Sequence, residues 1–209
     1  MNIAEKIASA YGITVSQAWK VVSVAADLGV DPTWLAALIY FESNFKTNAK
    51  GPGSAYGLGQ FTTIAQQALG VTRTQLERMG FDEQMDLLYR HLSEGKKAAG
   101  SALDLAMNHF YPKAFGQPDY AFPSWVQEAN PGIRTPRDYV AKMVSQARLP
   151  LAEGLPEYPF VGPPLLPFEI PPMGTPKDDG WKFWFNVGGL VFFGTTLVLS
   201  AVKLSRRRV

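Results

Sequence analysis

Residues 32–61 read PTWLAALIYFESNFKTNAKGPGSAYGLGQF. Asp31 followed by Pro32 sets a good N-cap before a proline at the first helical position, so a helix starts here and is expected to run to about Ser43. Within it Trp34, Leu35, Leu38 and Ile39 recur at helical spacing and form one apolar stripe. The next position on that stripe is Glu42, four residues after Leu38 and three after Ile39. A carboxylate thus stands where the pattern asks for an apolar side chain. Desolvation at such a position favours the neutral carboxyl form, and a neutral carboxyl is what general-acid catalysis requires.

The segment after Glu42 has its own character. From Ser43 to Leu76 there is no Asp or Glu, and glycine recurs at 51, 53, 57 and 59. Glycine lets backbone approach a ligand closely or adopt positive φ. Tyr56, Gln60 and Phe61 add two rings and an amide, the mixture that suits a sugar with apolar faces and polar edges. A small hairpin within 46–60 is compatible with this segment.

Working outward, the first 149 residues are expected to form one mainly helical head. Thr14 and Gln17 fit a capping box before an apolar-periodic run to Leu28. Thr62 or Thr63 can cap a short helix ending near Gly70. The stretches 72–80 and 81–95 look like helices closed by glycine, and 101–110 and 135–147 add two more. No run of alternating strand residues and no internal repeat is evident. The head carries 14 Lys/Arg and 13 Asp/Glu, so it offers no basic stripe for nucleic acid. The chain has no cysteine and two histidines, His91 and His109. That excludes disulfides, thiolate metal sites and a cysteine nucleophile, and leaves little for a histidine-rich zinc site or a serine–histidine triad.

Residues 150–180 form a second piece. Nine of the sixteen prolines fall between 150 and 176, which predicts an extended spacer rather than a helix. At ~3.1 Å per residue such a spacer reaches roughly 80 Å. Its Leu, Phe and Ile residues would also let it lie along a neighbouring protein. The third piece, residues 181–203, contains FWFNVGGLVFFGTTLVLSAV at 183–202, twenty residues without charge. A helix of that length matches the hydrocarbon core of a bilayer. Trp181 and Trp184 suit the interface at one end, and Lys203 with Arg206–Arg208 the inner side at the other. The basic tail, 204–209, is then expected inside and the head outside. The first residues carry charge early and lack an apolar core, which points away from a cleaved leader.

Together the motifs of the head resemble those of the lytic transglycosylases, which share a lysozyme-like fold with goose-type lysozymes. The family pattern is a Glu-Ser pair at a helix end, a loop closing on Gly-Leu-x-Gln, and then a helix. Here it stands as Glu42-Ser43, Ala49 and Ala55-Tyr56-Gly57-Leu58-Gly59-Gln60-Phe61, followed by TTIAQQAL. The resemblance covers about residues 20–148 and is densest at 34–69. It implies that Glu42 is the one catalytic acid/base, cutting peptidoglycan strands between N-acetylmuramic acid and N-acetylglucosamine to leave a 1,6-anhydro ring. It implies that Ser43, Tyr56, Gly57, Leu58, Gln60 and Phe61 position or bind substrate, and that no metal or cofactor takes part. The family's later Ala-Tyr-Asn segment has only a loose counterpart in residues 105–116, where Asn108, His109 and Tyr111 are candidates for the cleft wall.

The absence of a second acid near Glu42 fits a one-carboxylate mechanism, because ordinary glycosidases need a carboxylate pair across the cleft. Hydrolysis would have to borrow Asp27, Asp31, Glu77, Asp82 or Asp86. A muramidase, or a non-catalytic glycan-binding virion protein, stands as the alternative. The order of head, spacer and membrane helix resembles virion proteins of membrane-containing bacteriophages, with virion membrane or capsid proteins as partners of the spacer. A host inner-membrane enzyme, or a secretion or conjugation component, is the other placement.

Overall fold

The computed structural model describes residues 1–51, 53–94 and 96–151. Most of the proline-rich stretch, the apolar segment 183–202 and the basic tail lie outside the described residues. So does the expected membrane crossing; within the described residues no single helix is long and apolar enough to span a bilayer.

The described part is mainly helical. Its helices are α1 (Ile3–Tyr11), α2 (Val15–Leu28), α3 (Pro32–Ser43), α4 (Thr63–Ala68), α5 (Arg73–Arg78), α6 (Phe81–Ser93), α7 (Ala102–Phe110), α8 (Ser124–Ala129) and α9 (Pro136–Gln146), with a 3-10 turn at Pro112–Ala114. The starts follow local chemistry. Thr14 accepts from the Gln17 amide at 3.1 Å while Gln17 Oε1 takes the Thr14 amide at 3.0 Å. Asp31 caps α3 through the Thr33 amide at 2.7 Å, and Thr62 caps α4. Asn2 and Glu5 form a reciprocal cap on α1, a helix that sequence reading did not register.

Three expectations change. No strand forms among the described residues; the region 46–60 holds a single antiparallel bridge, Lys50 to Tyr56, because tight turns consume the loop. Gly80 does not close α5 but sits at the N-cap of α6, whose Glu83 carboxylate takes the Gly80 amide at 2.8 Å. Finally, α3 is not amphipathic. Thr33 to Ile39 are all buried, so the helix is apolar all round and lies inside the head. α1, α2, α7 and α9 pack against it, and the chain bends by 116° between α2 and α3.

The core has two parts. The larger gathers α1, α2 and α3 with Leu58, Phe61, Leu76, Met85 and Leu88. Burying an aliphatic side chain of this kind stabilises by ~1.5–3 kcal/mol. The smaller collects Met107, Phe110, Tyr111, Phe122, Val126, Ile133 and Tyr139. Phe41 and Val140 touch both, which places the end of α3 at their seam. Leu149 and Leu151 pack on the larger part.

Candidate active site

The end of α3 is cut sharply. Asn44 takes the left-handed conformation at φ 53° and caps Tyr40 O, and Phe45 follows at φ 60°. Side chains rarely adopt this region, at a cost of about 1–2 kcal/mol each. Packing offsets the cost for Phe45, whose buried ring meets Tyr11 at 5.3 Å and stacks on Phe81 at 6.5 Å. Gln60, at φ 45°, is the one other described non-glycine residue with positive φ. Asn44 and Gln60 both line the same cleft, so the strained backbone surrounds it.

That cleft has a volume of about 650 Å³ and lies where α3 ends. Glu42, Ser43 and Asn44 form one side, with Lys46, Ala49, Lys50, Gly51 and Gln60 from the loop. Ile133, Tyr139 and Lys142 stand on the side of α9. Among the described residues Glu42 is the only carboxylate in the lining.

Its side chain is 10% exposed and tightly held. Tyr139 donates its hydroxyl to Glu42 Oε1 at 2.5 Å. His109 Nε2 approaches the same oxygen at 3.4 Å. Among the described residues no hydrogen bond reaches Oε2, so this oxygen is left for the cleft. Burial, with the charge of Glu42 and its hydrogen bond added, pushes the Tyr139 phenol well above its ordinary value, so Tyr139 acts as a donor and never as a base near neutrality. Its ring is fixed by stacking on Phe110 at 4.4 Å and by an edge contact with Phe41 at 5.2 Å.

Behind His109 lies His91, ring to ring at 5.3 Å and 83°. Both are buried, and neither His91 Nε2 nor His109 Nδ1 has a hydrogen-bond partner among the described residues. Desolvation, reinforced by His109 and Lys96, holds the His91 imidazole well below its ordinary range, so it is neutral in the fold. Burial also lowers the Lys96 ammonium to about 8; that ammonium donates to Asn108 O.

The loop is built around two glutamines. Gln84, fully buried on α6, accepts the Leu58 amide at 2.9 Å and donates to Thr47 O at 2.9 Å and Met79 O at 3.2 Å. Gly57, at φ 79°, must be glycine, since a Cβ there would stand 2.4 Å from Gln84 Oε1. Gln60 folds its amide onto Gly57 O at 2.9 Å and Ala49 O at 3.3 Å. A Cβ on Gly51 would fall 2.0 Å from Gln60 Oε1, so backbone and amide are in close contact there.

Of the residues singled out from sequence, Glu42, Ser43 and Gln60 line the cleft, and His109 touches Glu42 from behind. Ser43 turns its hydroxyl back to Ile39 O at 3.0 Å. Tyr56, Leu58 and Phe61 are buried and shape the loop from beneath. The Arg73 guanidinium lies 3.7 Å over the Tyr56 ring, and Phe61 meets the edge of His91. Asn108 and Tyr111 are not part of the lining. The Asn108 amide donates to Lys97 O at 2.8 Å, and Tyr111 packs in the smaller core against Tyr120 and Phe122. The chain leaves the cleft there because α7 ends and Pro112 opens a 3-10 turn.

Of the five acids that could have supplied a second carboxylate, none lines the cleft. Asp31 caps the far end of α3. Asp86 and Glu77 pair with Lys20 and Arg73, Asp82 sits in the first turn of α6, and Asp27 belongs to α2. No group of three or more His, Cys, Asp or Glu suited to a metal ion occurs among the described residues. Sequence reading missed Tyr139 and Gln84. In comparisons with known proteins the chain matches no family model, no curated protein and no solved structure.

Proposed function

We propose that this chain is a peptidoglycan lytic transglycosylase with a lysozyme-like head, cutting the β-1,4 bond between N-acetylmuramic acid and N-acetylglucosamine. The observation that carries the reading is Glu42, the only carboxylate lining the cleft among the described residues, held through one oxygen by the Tyr139 hydroxyl with His109 Nε2 3.4 Å from the same atom. An inverting or retaining glycosidase places a second carboxylate across the bond, roughly 5–9.5 Å from the first. The lining offers none among the described residues.

One carboxyl group suffices when the substrate supplies the nucleophile. Glu42 gives its proton, from Oε2, to the glycosidic oxygen as the C1–O4 bond breaks. The muramic acid's own acetamido group assists at C1. The C6 hydroxyl of the same sugar then attacks C1 and returns its proton to Glu42. Acid becomes base, the enzyme ends as it began, and no water is consumed. The Tyr139 hydroxyl on Oε1 fixes the orientation of the group, leaves Oε2 to carry the proton, and stabilises the carboxylate between steps.

The apolar segment at 183–202 serves in this reading as a single membrane anchor, with the proline-rich stretch as a spacer that lets the head reach the wall. A particle-borne enzyme that opens the wall locally during phage genome entry fits that layout. The test is release of soluble muropeptides from purified peptidoglycan by the full-length chain and by Glu42→Gln. Release by the first and not by the second supports the proposal. Equal release by both removes Glu42 from the chemistry.

A further inference from the structure

The cleft carries more positive charge than its chemistry needs. Among the described residues three lysines line it, Lys46, Lys50 and Lys142, against the single carboxylate of Glu42. Lys46 and Lys50 stand on the loop after α3, and Lys142 on α9, so the charge comes from two walls. All three are exposed. None has an ion-pair partner among the described residues, whereas Lys20, Arg73, Arg90 and Arg137 are paired with Asp86, Glu77, Glu94 and Asp119, all away from the lining. With 14 cationic and 13 anionic side chains the head as a whole is almost neutral, so the excess is local to the cleft. A concave site lined by one sign of charge concentrates ligands of the other sign.

We propose that Lys46, Lys50 and Lys142 recognise carboxylates carried by the muramic acid residues, so that the cleft selects acidic, wall-derived glycan over a neutral N-acetylglucosamine polymer with the same backbone. This rests on reading the cleft as a peptidoglycan site. Every muramic acid bears a lactyl group that is either a free carboxylate or the attachment point of a short peptide with its own carboxylates. An N-acetylglucosamine polymer has neither. Lysine suits this task better than arginine, because a point charge on a flexible stem follows a mobile acidic substituent without demanding one bidentate geometry. The lysines add attraction along the strand, while Glu42 acts at the bond.

The experiment compares the full-length chain with a triple variant, Lys46→Gln, Lys50→Gln and Lys142→Gln. Three probes are used: intact peptidoglycan, glycan strands stripped of peptides, and an N-acetylglucosamine oligomer. Each exposed charge contact is worth a few-fold, so KM for intact peptidoglycan is expected to rise roughly tenfold with kcat within about twofold. The salt dependence of KM should flatten, because its source is removed. Binding of the neutral oligomer should not change. An equal defect on stripped strands assigns the contact to the lactyl carboxylate, and a smaller one assigns it to the peptide; both support the proposal. An unchanged KM and salt dependence on intact peptidoglycan overturns it, as does an equal loss of neutral-oligomer binding, which would mark the lysines as structural. If the wild type binds peptidoglycan without cutting it, the catalytic reading fails. The same comparison made on binding then decides the lysines by itself.

Discussion

Glu42 and Tyr139 show how much of this site hangs on single atoms. The Tyr139 hydroxyl is the shorter of the two contacts to Glu42 Oε1, at 2.5 Å against 3.4 Å for His109. A hydrogen bond to a charged group contributes about 1.5–3 kcal/mol, so Tyr139→Phe is expected to lower kcat by about ten- to a hundredfold. KM should stay within about twofold, because the hydroxyl is committed to Glu42 and its proton is not offered to the substrate. Steady-state kinetics on peptidoglycan check this; a rise in KM with kcat intact would instead make Tyr139 a substrate contact. Glu42 was legible because a carboxylate in an apolar helix breaks a pattern. Tyr139 was not. Its place beside Val140 and Met143 marks the inner face of α9, but nothing local says that its hydroxyl meets an acid 97 residues away.

At the scale of elements, the loop after α3 depends on α6. Gln84 satisfies a backbone amide and three carbonyls of the segments around it while fully buried. Gln84→Ala leaves these groups unpaired around a void, and the cost is expected to be roughly 3 kcal/mol. Urea unfolding would measure it, and a loss below about 1 kcal/mol would show that the loop holds itself. A second property of α6 is its acid sensitivity. The folded chain keeps His91 neutral, well below the ordinary value of 6.5, whereas the unfolded chain takes up a proton there as pH falls through that value. This contribution is therefore whole above pH about 6.5 and is lost below it, by up to about 1.4 kcal/mol per pH unit. His91→Leu should flatten the stability profile between pH about 7.5 and about 5. An unchanged slope would place the acid sensitivity elsewhere. The starts of α2 and α3 were the most legible part of the chain. Asp31-Pro32 and Thr14-x-x-Gln17 are local signals, and capping is local chemistry. The supposed hairpin and the amphipathic reading of α3 went astray for the opposite reason. Whether a loop pairs, and whether a helix is wrapped on all sides, is decided by neighbours distant in sequence.

At the scale of the whole molecule, the cleft lies at the seam of two apolar clusters. α3 brings the acid from the larger one, and α9 brings Tyr139 from the smaller one. The charge layout follows the same division, with Lys46 and Lys50 on one wall and Lys142 on the other. A nearly neutral head joined to a proline-rich stretch and an uncharged apolar segment was plain from composition. Where the remaining acids lie was not, because proximity in space is absent from a linear pattern. The central claim, a single carboxylate working without a partner, is tested most directly by the mass of the product. Muropeptides released from purified peptidoglycan by the full-length chain should be lighter by one water than the hydrolytic products, as a 1,6-anhydro ring requires. Products with ordinary reducing ends would contradict the account, because they demand a water-activating base that the lining of this cleft does not contain among the described residues.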